Sequence, residues 1–261
     1  MTFPDLRRER ESTSGGAEKE GRRRTMTEAS RVRLWWAMTF VLVALGVAAA
    51  GYRALHISDA GVIAEPLRAR LLDAVGRSDP LGAERARELA QFDAQFARGP
   101  TLTVLHVIPG ALFLAFAPLQ FWRRFRDRHR IIHRWTGRLL LGLLLLSTIP
   151  ALQFAIGSPF AGAAETVLIV LIAGLVLNSA IRAWVAIRRG EVDRHRRWMI
   201  RLFALALGIS VARVVGFLLD PLIAPMGPSV ASVFVPILGA GWALAIAGGE
   251  WWIRTTGPRE E

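Results

Sequence analysis

The chain has 261 residues, 52% of them apolar, and 33 Lys+Arg against 21 Asp+Glu give it a formal charge of +12. That apolar fraction and a positive mean hydropathy exclude an ordinary single soluble globule. The absence of cysteine excludes disulfides, thiolate zinc sites, cysteine-ligated clusters, covalently attached c-type haem and thiol nucleophiles, so any metal or haem must rely on the five histidines.

Residues 1–33 are charged, rich in Gly, Ser, Thr and Glu, and without an apolar period. They cannot bury enough surface to offset chain entropy and are predicted to form a disordered cytoplasmic tail. Behind Arg22, Arg23, Arg24, Arg31 and Arg33 comes an apolar stretch, residues 34–52, which is too long for a secretory peptide and lacks a small-residue cleavage site. It reads as an uncleaved signal anchor and the first transmembrane helix.

Residues 53–100 form the first outer loop. Glu65 to Arg77 puts Leu67, Leu71, Leu72 and Val75 on one helical face. A second piece opens with Asp79 as N-cap and Pro80 at the first helical position, spaces Leu81, Leu89, Phe92 and Phe96 as a helix does, and ends at Gly99-Pro100. Two short amphipathic helices follow, lying on the membrane surface or capping the bundle.

Residues 101–219 hold four more apolar runs: Leu102 to Trp122, Trp135 to Ile156, Ala163 to Ile187 and Trp198 to Leu219. A sixth, Val230 to Ile253, belongs to residues 220–253, and residues 254–261 are a short tail. Each run spans roughly 30 Å of hydrocarbon. Backbone groups in lipid must be satisfied internally, so the fold class is all-α: a polytopic membrane bundle of six transmembrane helices. Alternate connections carry 25 of the 33 Lys+Arg on the side shared by both termini, which are therefore predicted to be cytoplasmic. The seven Arg of the first outer loop are matched by seven acids. The net charge is thus a topology signal, and no nucleic-acid partner is expected.

Asp127-Arg128-His129-Arg130 and Asp193-Arg194-His195-Arg196 are the same quartet in two cytoplasmic connections. They are either the trace of a duplicated hairpin or a chance likeness between short basic loops.

Ionisable groups inside spans cost about 2.5–3.5 kcal/mol on insertion scales, so each needs a partner or a role. His106 on the second span and Arg213 on the fifth share the outer half with Gln153 and Glu165, which makes an intramembrane polar cluster of His106, Gln153, Glu165 and Arg213 available. Each also has a local role to weigh against this: Glu165 can cap its own helix, Arg213 can snorkel or pair with Asp220, and His106 can bond across helices. The second span gathers His106, Gly110, Phe113, Ala117 and Gln120 on one face, with Pro109 and Pro118 nearby to free backbone carbonyls. On the fifth span His195 and Arg213 share one face about 27 Å apart, with Met199, Leu202, Ala206 and Ile209 between them.

On the cytoplasmic side His129, His133 and His195 stand among many arginines. One reading is interfacial loops meeting anionic lipid headgroups. The sharper reading takes His133 and His195 as ligands of a haem iron or partners of a quinone, with Arg138 or Arg201 neutralising propionates or a quinol oxygen. His106 and Gln120, the polar groups near the two ends of the second span, complete that cofactor set. The first and sixth spans read as peripheral.

With these residues in view, the chain resembles the bacterial integral-membrane family catalogued as domain of unknown function 2306. The likeness rests on His106-Val107-Ile108-Pro109-Gly110, Pro118-Leu119-Gln120-Phe121, His133-Arg134-Trp135-Thr136-Gly137-Arg138 and His195-Arg196-Arg197-Trp198-Met199-Ile200-Arg201, with Arg213 beyond. It covers about residues 100 to 215 and implies a bacterial cytoplasmic-membrane protein, but no activity. A looser likeness to four-helix b-type cytochromes implies electron transfer, with one haem b at the cytoplasmic end. Three functions follow as expectations. The first is a membrane redox protein binding haem b or a quinone. The second is a small-ion transporter or proton relay through His106, Glu165 and Arg213. The third is a scaffold or assembly factor without turnover. Expected partners are the anionic cytoplasmic leaflet and a redox partner or second copy of the chain. Phosphate-cradling loops, metalloprotease helices and acyl-transfer triads are absent from the sequence.

Overall fold

In a computed structural model that describes residues 30–57 and 80–256, the apolar runs form six helices long and apolar enough to cross a membrane. They are α1 (Ser30–Leu55), α3 (Pro100–Phe121), α5 (Arg130–Gly157), α6 (Ala163–Arg188), α7 (Val192–Ile223) and α8 (Val230–Thr256). The amphipathic α2 (Pro80–Arg98) precedes α3, and a short α4 (Arg123–Arg128) links α3 to α5. No strand occurs among the described residues. The first amphipathic piece, Glu65 to Arg77, and the Asp79 cap lie outside the described residues.

The helices outrun their apolar runs. α5 begins at Arg130 and not at Trp135, and α7 begins at Val192 and not at Trp198. Residues 30–33, expected in the tail, are the first helical residues of α1, and residues 254–256 extend α8. Hydropathy marks only the hydrocarbon layer, whereas arginine is a good helix former whose stem packs while its charge reaches the headgroups. This extension carries His133 and His195 into helices.

The repeated quartets do not share a conformation. Asp127 and Arg128 end α4, His129 stands in the break with φ −125° and ψ 54°, and Arg130 starts α5, whereas Asp193 to Arg196 are all within the first turns of α7.

As far as Leu42, α1 is a helix with exposed Leu34, Met38, Phe40 and Val41, and its Trp36 ring lies 5.9 Å from Phe40. From Val43 onward the chain is a second contact unit, organised about α7. α7 buries Ile200, Leu202, Phe203, Ala204, Leu205 and Leu207 in sequence and packs on α6, α8 and α3. α3 pairs with α5, where a side chain added at Gly110 would stand 2.9 Å from the Ser147 hydroxyl.

The most extensive helix pair is α7 with α8. Here Gly208 lies beneath the Trp242 indole, Gly241 lies against the Ala212 backbone, and Gly249 faces Ala204. Trp242 Nε1 donates to the Leu205 carbonyl at 2.9 Å. The sixth span is therefore integral to the packing and not peripheral. Lipid and leucine are equally apolar, so small residues that let backbones approach, and not hydropathy, decide which spans adhere. Large side chains such as Leu139, Leu171, Phe217 and Leu218 are left exposed, as a bundle surrounded by hydrocarbon requires.

α2 caps one end of this unit. Phe92 packs on Phe160 and Phe234 at ring distances of 5.2 and 5.0 Å, and Phe96 packs on Phe154 at 5.1 Å. Arg85 donates to the Pro228 carbonyl at 2.7 Å and pairs with Asp220, while the Glu88 carboxylate accepts the Val230 amide at the start of α8. Charged residues thus fix the α7–α8 connection while the phenylalanines seal it. Of the two placements open in the sequence, the structure takes the cap.

Candidate functional site

The bundle has an arginine-rich end, formed by α4 and the starts of α5 and α7, and an α2 end. Each holds a polar cluster.

At the arginine-rich end, His195 Nδ1 lies 2.9 Å from the Ala183 carbonyl on α6. A carbonyl only accepts, so this contact puts a proton on Nδ1, and in the neutral ring Nε2 is then the acceptor. His133, one helix away on α5, is near enough for its charge to interact with those of His195, Arg126 and Arg134. Its Nδ1 is buried without a hydrogen-bond partner. Gln120, in the last turn of α3, donates through Nε2 to Thr136 Oγ1 at 2.8 Å, and Thr136 passes its own proton to the Ile132 carbonyl at 2.7 Å. The direction of this chain turns Gln120 Oε1 inward, where it too is buried and unpartnered. A side chain added at Gly137 would stand 3.5 Å from that oxygen. The glycine thus leaves room beside it.

Three acceptor-capable atoms, His133 Nδ1, His195 Nε2 and Gln120 Oε1, therefore come from α5, α7 and α3 at one end of the bundle. Buried polar atoms are ordinarily paired, and each exception points to a bound group, a water or a functional role. Arg138 and Arg201, expected beside a cofactor, are engaged elsewhere. Arg138 lies over the Trp135 ring at 5.1 Å. Arg201 makes a two-pronged pair with Glu250 at 2.5 and 3.0 Å and covers the Trp198 ring at 4.6 Å.

At the α2 end, His106 Nδ1 donates to the Ser147 carbonyl at 2.9 Å, and the Ser147 hydroxyl donates back to the His106 carbonyl at 2.6 Å. This reciprocal pair ties α3 to α5. Arg213 is close enough to His106 for their charges to interact, and it also feels Arg53 of α1. The other two members of the expected cluster are elsewhere. Glu165 is buried and accepts the Ala161 amide at 2.8 Å, closing the turn before its own helix, where Gly162 takes φ 75°. That is the capping role, with an anion at a helix N-terminus. Gln153 is exposed. Asp220 pairs with Arg85, so it is not the partner of Arg213.

Sequence reasoning missed Thr136, Ser147, Arg53 and Asp93. A hydroxyl in a span is a weak signal by itself. The Arg53–Asp93 ion pair joins residues 40 apart and becomes visible only once α2 folds back over the bundle. No cluster of three or more His, Asp or Glu able to hold a metal occurs among the described residues.

No curated protein and no solved structure matches the chain. The looser likeness to b-type cytochromes therefore has no support from these comparisons. The family described as "Predicted membrane protein (DUF2306)" matches residues 103–253. The match runs from the first turn of α3 to the last turn of α8, and so includes the sixth span with its close packing on α7. With more than half of the chain matched, and the histidines of both clusters inside the matched region, the chain belongs to the DUF2306 family of predicted membrane proteins.

Proposed function

We propose that this membrane protein is a redox protein that holds the head group of a quinol or quinone between α3, α5 and α7, at His133, His195 and Gln120. The observation that carries the reading is the pair of buried, unpartnered atoms His133 Nδ1 and Gln120 Oε1: His195 is near enough to His133 for their charges to interact, and Gln120 is tied through Thr136 to the turn of α5 that carries His133. An amide oxygen and an unprotonated imidazole nitrogen accept hydrogen bonds, which suits the hydroxyls of a quinol. The protein's part is to bind, orient and take up a proton at an imidazole, while the bound ring supplies the electron chemistry. Gln120 is pre-aimed by Thr136, and His195 by Ala183, so little ordering is left to be done on binding.

A single haem b between His133 and His195 is the second reading. It is favoured by the Nδ1-to-carbonyl bond of His195, the usual means of presenting Nε2 to a metal. It ranks lower because Arg138 and Arg201, the expected propionate partners, are already engaged. A transporter or proton relay at His106 and Arg213 loses the Glu165 carboxylate to capping. A scaffold role gives no account of the unpartnered atoms. On the same proposal the arginine-rich end faces the cytoplasm of a bacterial cell. There Trp122, exposed beside Arg123 and Arg124, would meet anionic headgroups.

The test is the detergent-purified protein, oxidised and reduced, with organic extraction of bound quinone. Quinone should be retained by the wild type and lost in Gln120→Leu and His195→Ala. A Soret band without quinone would move the assignment to haem. Neither a Soret band nor quinone, after expression in quinone-replete cells with added haem, would refute both.

A further inference from the structure

The second polar cluster, at the α2 end, has a property that capping and packing do not use. Arg213 lies inside α7, and its side chain is exposed. Among the described residues it forms no ion pair or hydrogen bond, and the charges it interacts with are those of a second arginine, Arg53, and His106. Arg53 stands on the same face of α1 as Gly46, because seven residues are two helical turns, and a side chain added at Gly46 would stand 2.6 Å from Ser210 Oγ of α7. The seam between α1 and α7 therefore runs outward from Gly46 and Ser210 to Arg53 and Arg213.

Along this seam the polar atoms are under-used. Asp93, almost fully buried, pairs with Arg53. The other terminal nitrogen of that guanidinium, Nη1, is buried without a partner, as are the neighbouring Tyr52 hydroxyl and the Ser210 hydroxyl, the latter on a residue of zero exposure. Charge is unbalanced in the same sense. Among the described residues, Asp93 pairs with Arg53 and no acid pairs with Arg213. Hydrogen-bond donors and an excess positive charge facing one seam are what an oxyanion needs, and guanidinium forks match its geometry.

We propose that the α1–α7 seam at the α2 end binds an oxyanion, a phosphate or carboxylate group, between Arg213 and the free Nη1 of Arg53, with the Tyr52 hydroxyl as a further donor. The seam is separate from the His133–His195 cluster, so the proposal stands whether or not a quinol binds there. The group can belong to a soluble anion or to a phospholipid head, since both present the same oxygens.

The experiment uses the full chain, delipidated in an uncharged maltoside detergent in chloride buffer, titrated with inorganic phosphate and with acetate by calorimetry. A saturable one-site isotherm is expected for at least one of them. Arg213→Gln should raise its dissociation constant at least tenfold, and His195→Ala should leave it unchanged. Arg213→Lys keeps the charge and loses the fork, so it should bind with an intermediate constant; it also carries the test if the Gln variant does not fold. Phosphorus analysis before delipidation separates the sources. Phosphorus retained by the wild type and reduced in Arg213→Lys identifies a lipid head, whereas equal phosphorus in both, with the isotherms intact, identifies a soluble anion. No saturable isotherm for either probe, or constants equal in wild type and the Arg213 variants, overturns the proposal.

Discussion

The α7–α8 interface and the polar sites elsewhere in the bundle are built on opposite terms. Against α8, backbones touch: Gly208 accepts the Trp242 ring, Gly241 accepts Ala212, the indole N–H has its carbonyl, and Arg201 has Glu250. Away from that interface lie buried polar atoms that lack hydrogen-bond partners: Ser210 Oγ on α7, facing Gly46 of α1, Gln120 Oε1 on α3, beside Gly137 of α5, and His133 Nδ1 on α5. The first interface is satisfied and serves cohesion. The second carries the energetic burden of unpaired polar atoms, each of which calls for a bound group, a water or a functional role.

This contrast can be broken most severely at Gly241. Gly241→Ala drives a methyl into the Ala212 backbone, which cannot swing aside, and should destabilise by about 1–3 kcal/mol or more as an overpacked contact. The check is the midpoint of denaturant unfolding in mixed micelles, and a midpoint equal to wild type would mean that the two backbones are not in contact. Next in size is the Arg201–Glu250 pair, partly buried on both sides, where removal of either partner should cost about 1–2 kcal/mol. A double-mutant cycle would show coupling near 1 kcal/mol if the two-pronged geometry holds, and none if the groups are independently solvated.

Glu165→Gln should cost about 1 kcal/mol through its cap while leaving any proton or ion flux untouched, measured on the same preparation in vesicles. Loss of flux with unchanged stability would restore Glu165 to a relay. The smallest effect is expected on the other side of the comparison. Ser210→Ala removes a hydroxyl that bonds to nothing, so stability should stay within about 0.5 kcal/mol of wild type or rise slightly, because no partner is left behind. A loss near 2 kcal/mol would reveal a partner for Ser210 and weaken the contrast.

Much of this was legible in the chain. Six spans, an amphipathic cap opening at Pro80 and the three His-centred motifs follow from period, length and residue type, because an isolated helix in lipid is already defined by its own sequence. Helix ends were less legible. Arginine-rich segments that look like loops by hydropathy are helical at Arg130 and Val192, since the headgroup layer solvates their charge without ending the hydrogen-bond ladder. The polar cluster at the α2 end was half legible. Depth in the membrane groups His106 with Arg213, whose charges interact in the structure, but depth says nothing about azimuth: Glu165 caps its own helix and Gln153 is exposed.

By itself, then, the sequence determined the class of the protein, the number of spans and which end is basic, because these depend on one helix at a time. The tertiary structure alone decided that α8 packs closely on α7, that Arg53 and Asp93 join the α2 end, and that Gln120 and His133, the latter near His195, carry unpaired atoms. Those are properties of how helices face one another. Facing is set by close fits between small residues such as Gly208, Gly241 and Ala212, for which hydropathy provides no measure.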